Sequence, residues 1–154
     1  KIYCDIVCEL EDGKNVAMLT IGDPSVYSTY MYIHKRVMQA GFTAVMISGV
    51  PSFCAAAARL GISLGEMMDE IHIIPASYDV RDTVGCGGTC VYMKSGKKLA
   101  ELIEVLRTGD AIRKKKMTVY GVTNCGMESE RVYRGLDELT EAKGYLTIVI
   151  VKYS

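Results

Sequence analysis

The sequence predicts an α/β fold in two successive parts. Three observations carry this expectation. Two short apolar runs, each closed by a Gly/Pro turn, flank one long helical segment. A polar, Gly-rich stretch interrupts the middle of the chain, and a second series of strands and helices then ends in an almost wholly β-branched run. A chain of 154 residues has the size of one domain or of two small ones, enough to bury a core.

In chain order, Ile2, Ile6, Val7 and Leu10 recur at helical spacing and Glu11-Asp12-Gly13 stops them, so residues 1–12 read as a helix with no strand before it. With Lys rather than Met at position 1, this predicts that a further element of the natural protein lies upstream. Residues 16–21 form a continuous apolar run halted by Gly22-Asp23-Pro24, the pattern of a strand buried on both faces. Residues 27–40 carry Tyr30, Ile33, Val37 and Met38 on one helical stripe, with Gly41 as the stop. A second buried strand is expected over 42–48. After the break at Gly49-Val50-Pro51-Ser52, residues 53–60 read as a small-residue helix suited to close packing on a sheet. Strand, helix, strand, helix is the order of a parallel sheet with right-handed crossovers, whose ligands bind outside the carboxyl ends of the strands.

Around residues 71–76 a short strand enters the polar, Gly-rich stretch ending at Gly88. The expected domain boundary lies there, giving domains 1–74 and 75–154. The second domain is expected to contain strand 90–94, helix 97–106, strand 117–122, helix 128–142 and strand 145–152, the last rich in β-branched residues.

Composition excludes several function classes. Half the chain is apolar (49%), but no run approaches the roughly 20 residues of a membrane-crossing helix. Eighteen Lys+Arg balance eighteen Asp+Glu, so no global field draws the chain to nucleic acid or anionic lipid. The six Cys lie in apolar stretches, and no leader with a cleavage site is evident, which predicts a reduced, cytoplasmic protein.

The segment 19–30 is the most informative. Gly22 permits close backbone approach, Pro24 stiffens the turn, and Ser28 and Thr29 offer hydroxyls and N–H groups at a helix start, where an anion is stabilised. From composition alone, an ordinary β-to-α turn fits equally well.

Gly22-Asp23-Pro24-Ser25-Val26-Tyr27-Ser28-Thr29 resembles the GDP-x-x-Y-S-T loop of the tetrapyrrole methylases, in particular the cobalamin-pathway branch that acts on precorrin-2 or cobalt-factor II at C20. Three more matches follow in order. Residues 49–61 resemble the family's P-G-(I/V)-(T/S)-S-F-x-A-A-A-A-R-L-G stretch. Val91-Tyr92-Met93-Lys94 is similar to V-L-M-K, and residues 124–133 to C-G-M-x-x-E-R-(I/V). Ser48 stands where the family usually has Pro, and Pro51 where it usually has Ser or Thr, so a backbone contact rather than a hydroxyl is implied at that position. Diphthine synthases, with A-T-T-H after their GDP loop, and the ribosomal-RNA branch, with D-A-G-(T/M)-P, do not match.

The resemblance implies the two-domain tetrapyrrole methylase fold, with a parallel first sheet that is incomplete here and a mixed second one. Family members begin with a strand and a Gly/Pro-rich loop to which nothing here corresponds. It also implies S-adenosylmethionine as methyl donor, leaving as S-adenosylhomocysteine, in the cleft between the domains. The residues implied to touch it are Ile21, Gly22, Asp23, Val26, Pro51, Ser52, Met93, Cys125, Leu146 and Thr147. Asp23 either accepts from the donor or braces its own loop. The acceptor is a carboxylate-rimmed macrocycle, for which Tyr27, Ser28, Thr29, Arg59 and Lys94 are candidate contacts, with Lys35, Arg36 and Lys97 also near the loops. No catalytic base is assigned. The family is typically homodimeric.

Two alternatives accompany this reading: a sister methylase acting at another ring position, and a nucleotide- or zinc-binding module without transfer chemistry. Cys4, Cys8, Cys86 and Cys90 supply the zinc idea, but C-x-x-x-C on a helix is not knuckle spacing, and no metal site is expected. Cys86, among glycines, is the one cysteine expected to be exposed. His34 and His72 lack triad partners, residues 113–116 read as a solvated basic loop, and the nine Met as core filling.

Overall fold

The computed structural model describes residues 1–113 and 116–153, the side chains of residues 97 and 110–113 excepted. The chain divides into two compact units, Lys1–Pro51 and Ser52–Ser154. Among the described residues no helix is long and apolar enough to cross a membrane.

The first unit holds helices α1 (Ile2–Glu11) and α2 (Tyr30–Gln39). Gly13 and Gly41 follow them at φ 75° and 88°, the left-handed backbone that ends a helix. The Arg36 guanidinium stacks 3.9 Å from the Tyr3 ring centroid and joins the two helices. The strands expected over 16–21 and 42–48 are not formed. Both segments are irregular, and among the described residues 16–21 and 43–48 make no backbone–backbone hydrogen bond. Nor are they buried: Leu19 is 91% exposed and Ile47 83%. Between them lies an apolar trough of about 560 Å³, floored by helix residues such as Ile6, Ile33 and Val37. A buried parallel strand needs ladder partners on both sides. The apolar run encodes fitness for that position, but no described residue supplies the partner, so the parallel sheet expected in this part is absent among the described residues.

The second unit is built on one mixed five-stranded sheet, ordered β1-β2-β5-β3-β4. Its strands are β1 (Ile71–Pro75), β2 (Thr89–Met93), β3 (Met117–Thr123), β4 (Arg131–Arg134) and β5 (Thr147–Tyr153). β1 and β2 are parallel and the other pairings antiparallel. β5 is central, buried from Thr147 to Val151, and its alternate residues serve two cores. Val149 and Val151 join Cys90, Tyr92 and Val119 beneath helix α4 (Leu99–Arg113), which contributes Leu102 and Leu106. On the opposite face, Val91, Val122 and Ile150 are also buried. There α3 (Ser52–Leu60) contacts β3 and β5, burying Phe53, Ala56, Ala57 and Leu60. The small side chains allow the close approach expected from its sequence.

The helix expected over 128–142 is a correction. Residues Arg131–Arg134 are strand β4, paired with β3 in the register Gly121↔Tyr133, and only Leu136–Leu139 (α5) is helical. Gly135, at φ 102°, separates them with a backbone no helix interior accepts. Cys86 is exposed, but so are Cys4, Cys8 and Cys54, because α1 buries none of its residues and Cys54 faces outward from α3. Cys90 is buried, and desolvation pushes its thiol up to about 11.

Candidate active site

In the first unit, the turn after residue 21 is closed by Asp23. Its Oδ1 accepts from the Ser25 N–H (2.8 Å) and hydroxyl (2.5 Å), and its Oδ2 from the Gly49 N–H (2.9 Å). These donors, Ser25 foremost, hold the carboxyl below the usual carboxylate range. One side chain therefore shapes its own turn and ties it to the turn at Gly49. Gly22 adopts φ 84°, and a Cβ on Gly49 would stand 2.2 Å from the Gly22 carbonyl oxygen, so the two backbones meet where only glycine fits. Of the two roles open to Asp23, the structure displays bracing. Pro24 is buried, Val26 half-buried, and Ile21 exposed. The Val26 N–H donates to the Asp23 carbonyl. Tyr27 sits at φ 48°, and the Ser28 Oγ accepts from the Tyr30 N–H at the head of α2 (3.2 Å), whereas Thr29 makes no side-chain cap. Pro51 ends this unit.

In the second unit, antiparallel pairing of β5 with both β2 and β3 brings the carboxyl ends of β2 and β3 to the edge where β5 begins. Three distant stretches of sequence thus meet. Met93, the last residue of β2, is buried; Thr147 faces Thr123 across the β5–β3 ladder; and the Asn124 N–H donates to the Leu146 carbonyl (2.9 Å), placing Cys125 next along the edge. Hydroxyls fix this edge. Thr123 and Thr147 lie 3.0 Å apart through their Oγ1 atoms, the Thr147 hydroxyl reaches the Gly144 carbonyl, and the buried Ser95 hydroxyl donates to the Thr147 carbonyl (3.3 Å). Lys94 follows Met93 at φ 57°. Ser52 opens α3.

The turn over residues 124–130 completes this edge. Asn124 (φ 52°) and Gly126 (φ 78°) reverse the chain, and the Asn124 side-chain amide donates to the Ser129 hydroxyl (2.9 Å). Glu130 Oε2 accepts from the Gly126 N–H (2.7 Å), while its Oε1 accepts from Arg59 Nε in the last turn of α3. The Gly126 N–H first, and then Arg59, lower the Glu130 carboxyl. Glu130 in turn raises Arg59, and burial, reinforced by Glu130, raises the Cys125 thiol. Sequence reasoning assigned no role to Ser95, Asn124 or Glu130; Glu130 stood inside a quoted motif, and that was the available signal. Lys97 and residues 113–115, named among the basic candidates, lie outside the described side chains.

In each unit the groups brought together are chiefly backbone amides and carbonyls, hydroxyls and apolar side chains. His34 Nδ1 lies 3.1 Å from the Tyr30 hydroxyl rather than beside a nucleophile–acid pair. Among the described residues no three His, Cys, Asp or Glu side chains are placed to hold a metal. Such a set suits binding and alignment of an already activated reagent.

The family model of the Tetrapyrrole (Corrin/Porphyrin) Methylases matches residues 2–140. A Methanocaldococcus jannaschii protein described as a probable cobalt-precorrin-2 C(20)-methyltransferase is 34% identical over 145 residues, covering 92% of this chain and 60% of that protein. A Rhodococcus erythropolis precorrin-4 C(11)-methyltransferase is 30% identical over 105 residues, 61% of this chain and 42% of that one. Among solved structures, a cobalt precorrin-4 methyltransferase superposes with TM-score 0.82 at 16% identity, covering 98% of this chain and 69% of that one. A Thermus thermophilus uroporphyrin-III C-methyl transferase, solved with S-adenosyl homocysteine, gives 0.76 at 16% identity, covering 98% of this chain and 71% of that one. The chain spans about three fifths of the length of the Methanocaldococcus relative. It belongs to the tetrapyrrole methylases.

Proposed function

We propose that this chain is part of an S-adenosylmethionine-dependent methyltransferase acting at C20 of precorrin-2 or its cobalt-bearing counterpart, in cobalamin biosynthesis. The observation that carries the reading is the convergence of Met93, Cys125, Leu146 and Thr147 on one sheet edge, in a chain 34% identical to a relative named for that reaction. When bound, S-adenosylmethionine supplies an electrophilic methyl group, which the macrocycle carbon takes up before losing a proton, leaving S-adenosylhomocysteine.

The chain's residues have the complementary tasks. Gly22 and Gly49 let the backbone approach the donor, and Asp23 holds their turns in register. Ile21, Val26 and Met93 offer apolar walls that exclude water, and Pro51, Ser52, Cys125, Leu146 and Thr147 complete the donor contacts. Tyr27, Ser28, Thr29 and Lys94 are assigned to the macrocycle and its acids. Arg59, whose Nε is engaged by Glu130, is assigned to the 124–130 turn instead. The reading includes a homodimer and a cytoplasmic location.

Calorimetric titration with S-adenosylhomocysteine tests the donor assignment: saturable binding of one ligand per chain is expected, and absence of binding at millimolar ligand contradicts it. A sister reaction at another ring position is the second reading, favoured by the Rhodococcus relative named for C11. Turnover of precorrin-2 with the methyl group at C20 supports the first reading, and turnover of precorrin-4 but not of precorrin-2 supports the second.

A further inference from the structure

At the edge that carries Cys125, Arg59 of α3 and Glu130 form an ion pair. We propose that Arg59 and Glu130 are a pair of positioning residues, a latch that fixes the 124–130 turn against α3 and so holds Cys125 at the donor-binding edge. The two come from stretches 71 residues apart in sequence, and each carboxylate oxygen has its own task. Oε1 receives Arg59 Nε, and Oε2 receives the Gly126 N–H at 2.7 Å, one residue beyond Cys125.

Glu130 is suited to this work. Its side chain is 16% exposed, against 57% for Arg59, so the carboxylate is the ordered centre and the arginine its outer clamp. The turn it holds is otherwise tied by the Asn124–Ser129 side-chain bond and by the Met127 and Glu130 N–H groups. Two of its residues, Asn124 and Gly126, have positive φ. A short turn with left-handed residues has many competing conformations, and a charge-assisted acceptor on the Gly126 N–H selects one of them. α3 is a firm anchor because Ala56, Ala57 and Leu60 are buried against the sheet. Among the described residues, the charged or titratable groups facing Glu130 are Arg59 from α3 and Cys125 from its own turn. Both bear on the same contact: Arg59 favours the carboxylate, while the Cys125 thiol is raised by burial and by Glu130.

The consequence for donor binding rests on the function proposed above; the latch itself does not. The test compares Arg59→Gln, Arg59→Lys and Glu130→Gln with the unaltered chain, reading amide protection at Gly126 and S-adenosylhomocysteine affinity. Protection at Gly126 is expected to fall about tenfold in Arg59→Gln and Glu130→Gln, and to recover in part in Arg59→Lys, which restores the charge without the planar fork. Donor affinity should follow the same order.

In the unaltered chain, Gly126 protection should also be lost as pH falls through the lowered Glu130 pKa. The sign follows from the depressed carboxyl: its stabilisation is present above the ordinary value of about 4.3 and disappears in acid. That acid step should be missing in Glu130→Gln. Unchanged Gly126 protection in both Gln variants overturns the latch, even if either residue matters for overall stability. If the unaltered chain fails to bind S-adenosylhomocysteine, the donor assignment falls, while Gly126 protection still decides the latch. Loss of protection with unchanged affinity overturns the link from latch to donor.

Discussion

At Gly49 a single added methyl group would meet the Gly22 carbonyl oxygen at 2.2 Å, and the obstacle is backbone, which has little freedom to give way. Gly49→Ala is therefore expected to push the two turns apart and to weaken S-adenosylhomocysteine binding about a hundredfold, the scale at which an ångström of misplacement is felt. Asp23→Asn asks for less. The amide oxygen still accepts from Ser25, but the amide nitrogen cannot accept from the Gly49 N–H, so a loss of about tenfold is expected, read by calorimetry. Because the Asp23 carboxyl is lowered by these donors, amide protection at Gly49 should hold above the usual aspartate value of about 3.9 and be lost as acid protonates the folded carboxyl. Gly22 and Asp23 were legible in the sequence through the resemblance of their turn to the family's GDP loop, since the turn by itself fits an ordinary β-to-α connection equally well. Glu130 was not, because its partner Arg59 is 71 residues away and a pairing at that distance leaves no local pattern.

Among the elements, β5 gave the clearest sequence signal and plays the most central part. A run of β-branched residues buried on both faces has one natural place, the middle of a sheet, and β5 lies between β2 and β3. Ile150, fully buried opposite Val91 and Tyr120, is expected to cost about 3 kcal/mol when truncated to Ala, measured by denaturant unfolding. β4 was misread because Arg131–Arg134 is too short to establish a period of two, and Gly135 was the overlooked sign of a break. In the first unit, the apolar runs 16–21 and 42–48 read as strands because hydrophobicity records what a segment is fit to pair with, not what is there to pair. The amides of 16–21 and 43–48 should exchange close to unprotected rates while those of β5 exchange slowly, as hydrogen-exchange mass spectrometry would resolve.

For the molecule as a whole, balanced charge and a chemistry of backbone contacts and apolar walls are consistent with a reagent that arrives activated and needs only to be held. Family membership was readable from four ordered motifs, and the sheet topology explains why two of them, residues 91–94 and 124–133, belong together: the carboxyl ends of β2 and β3 meet where β5 begins. The order of the strands was not readable, since pairing β5 between β2 and β3 depends on contacts that no local stretch encodes. The most direct test of the central claim is a titration of the isotope-labelled chain with S-adenosylhomocysteine, followed by backbone amide resonances. Saturating shifts are expected at Gly22 and Asp23 in the first unit, and at Met93, Cys125 and Thr147 in the second. Absence of shifts, or shifts confined to residues away from both sets, would contradict the assignment of this chain as a donor-binding methylase.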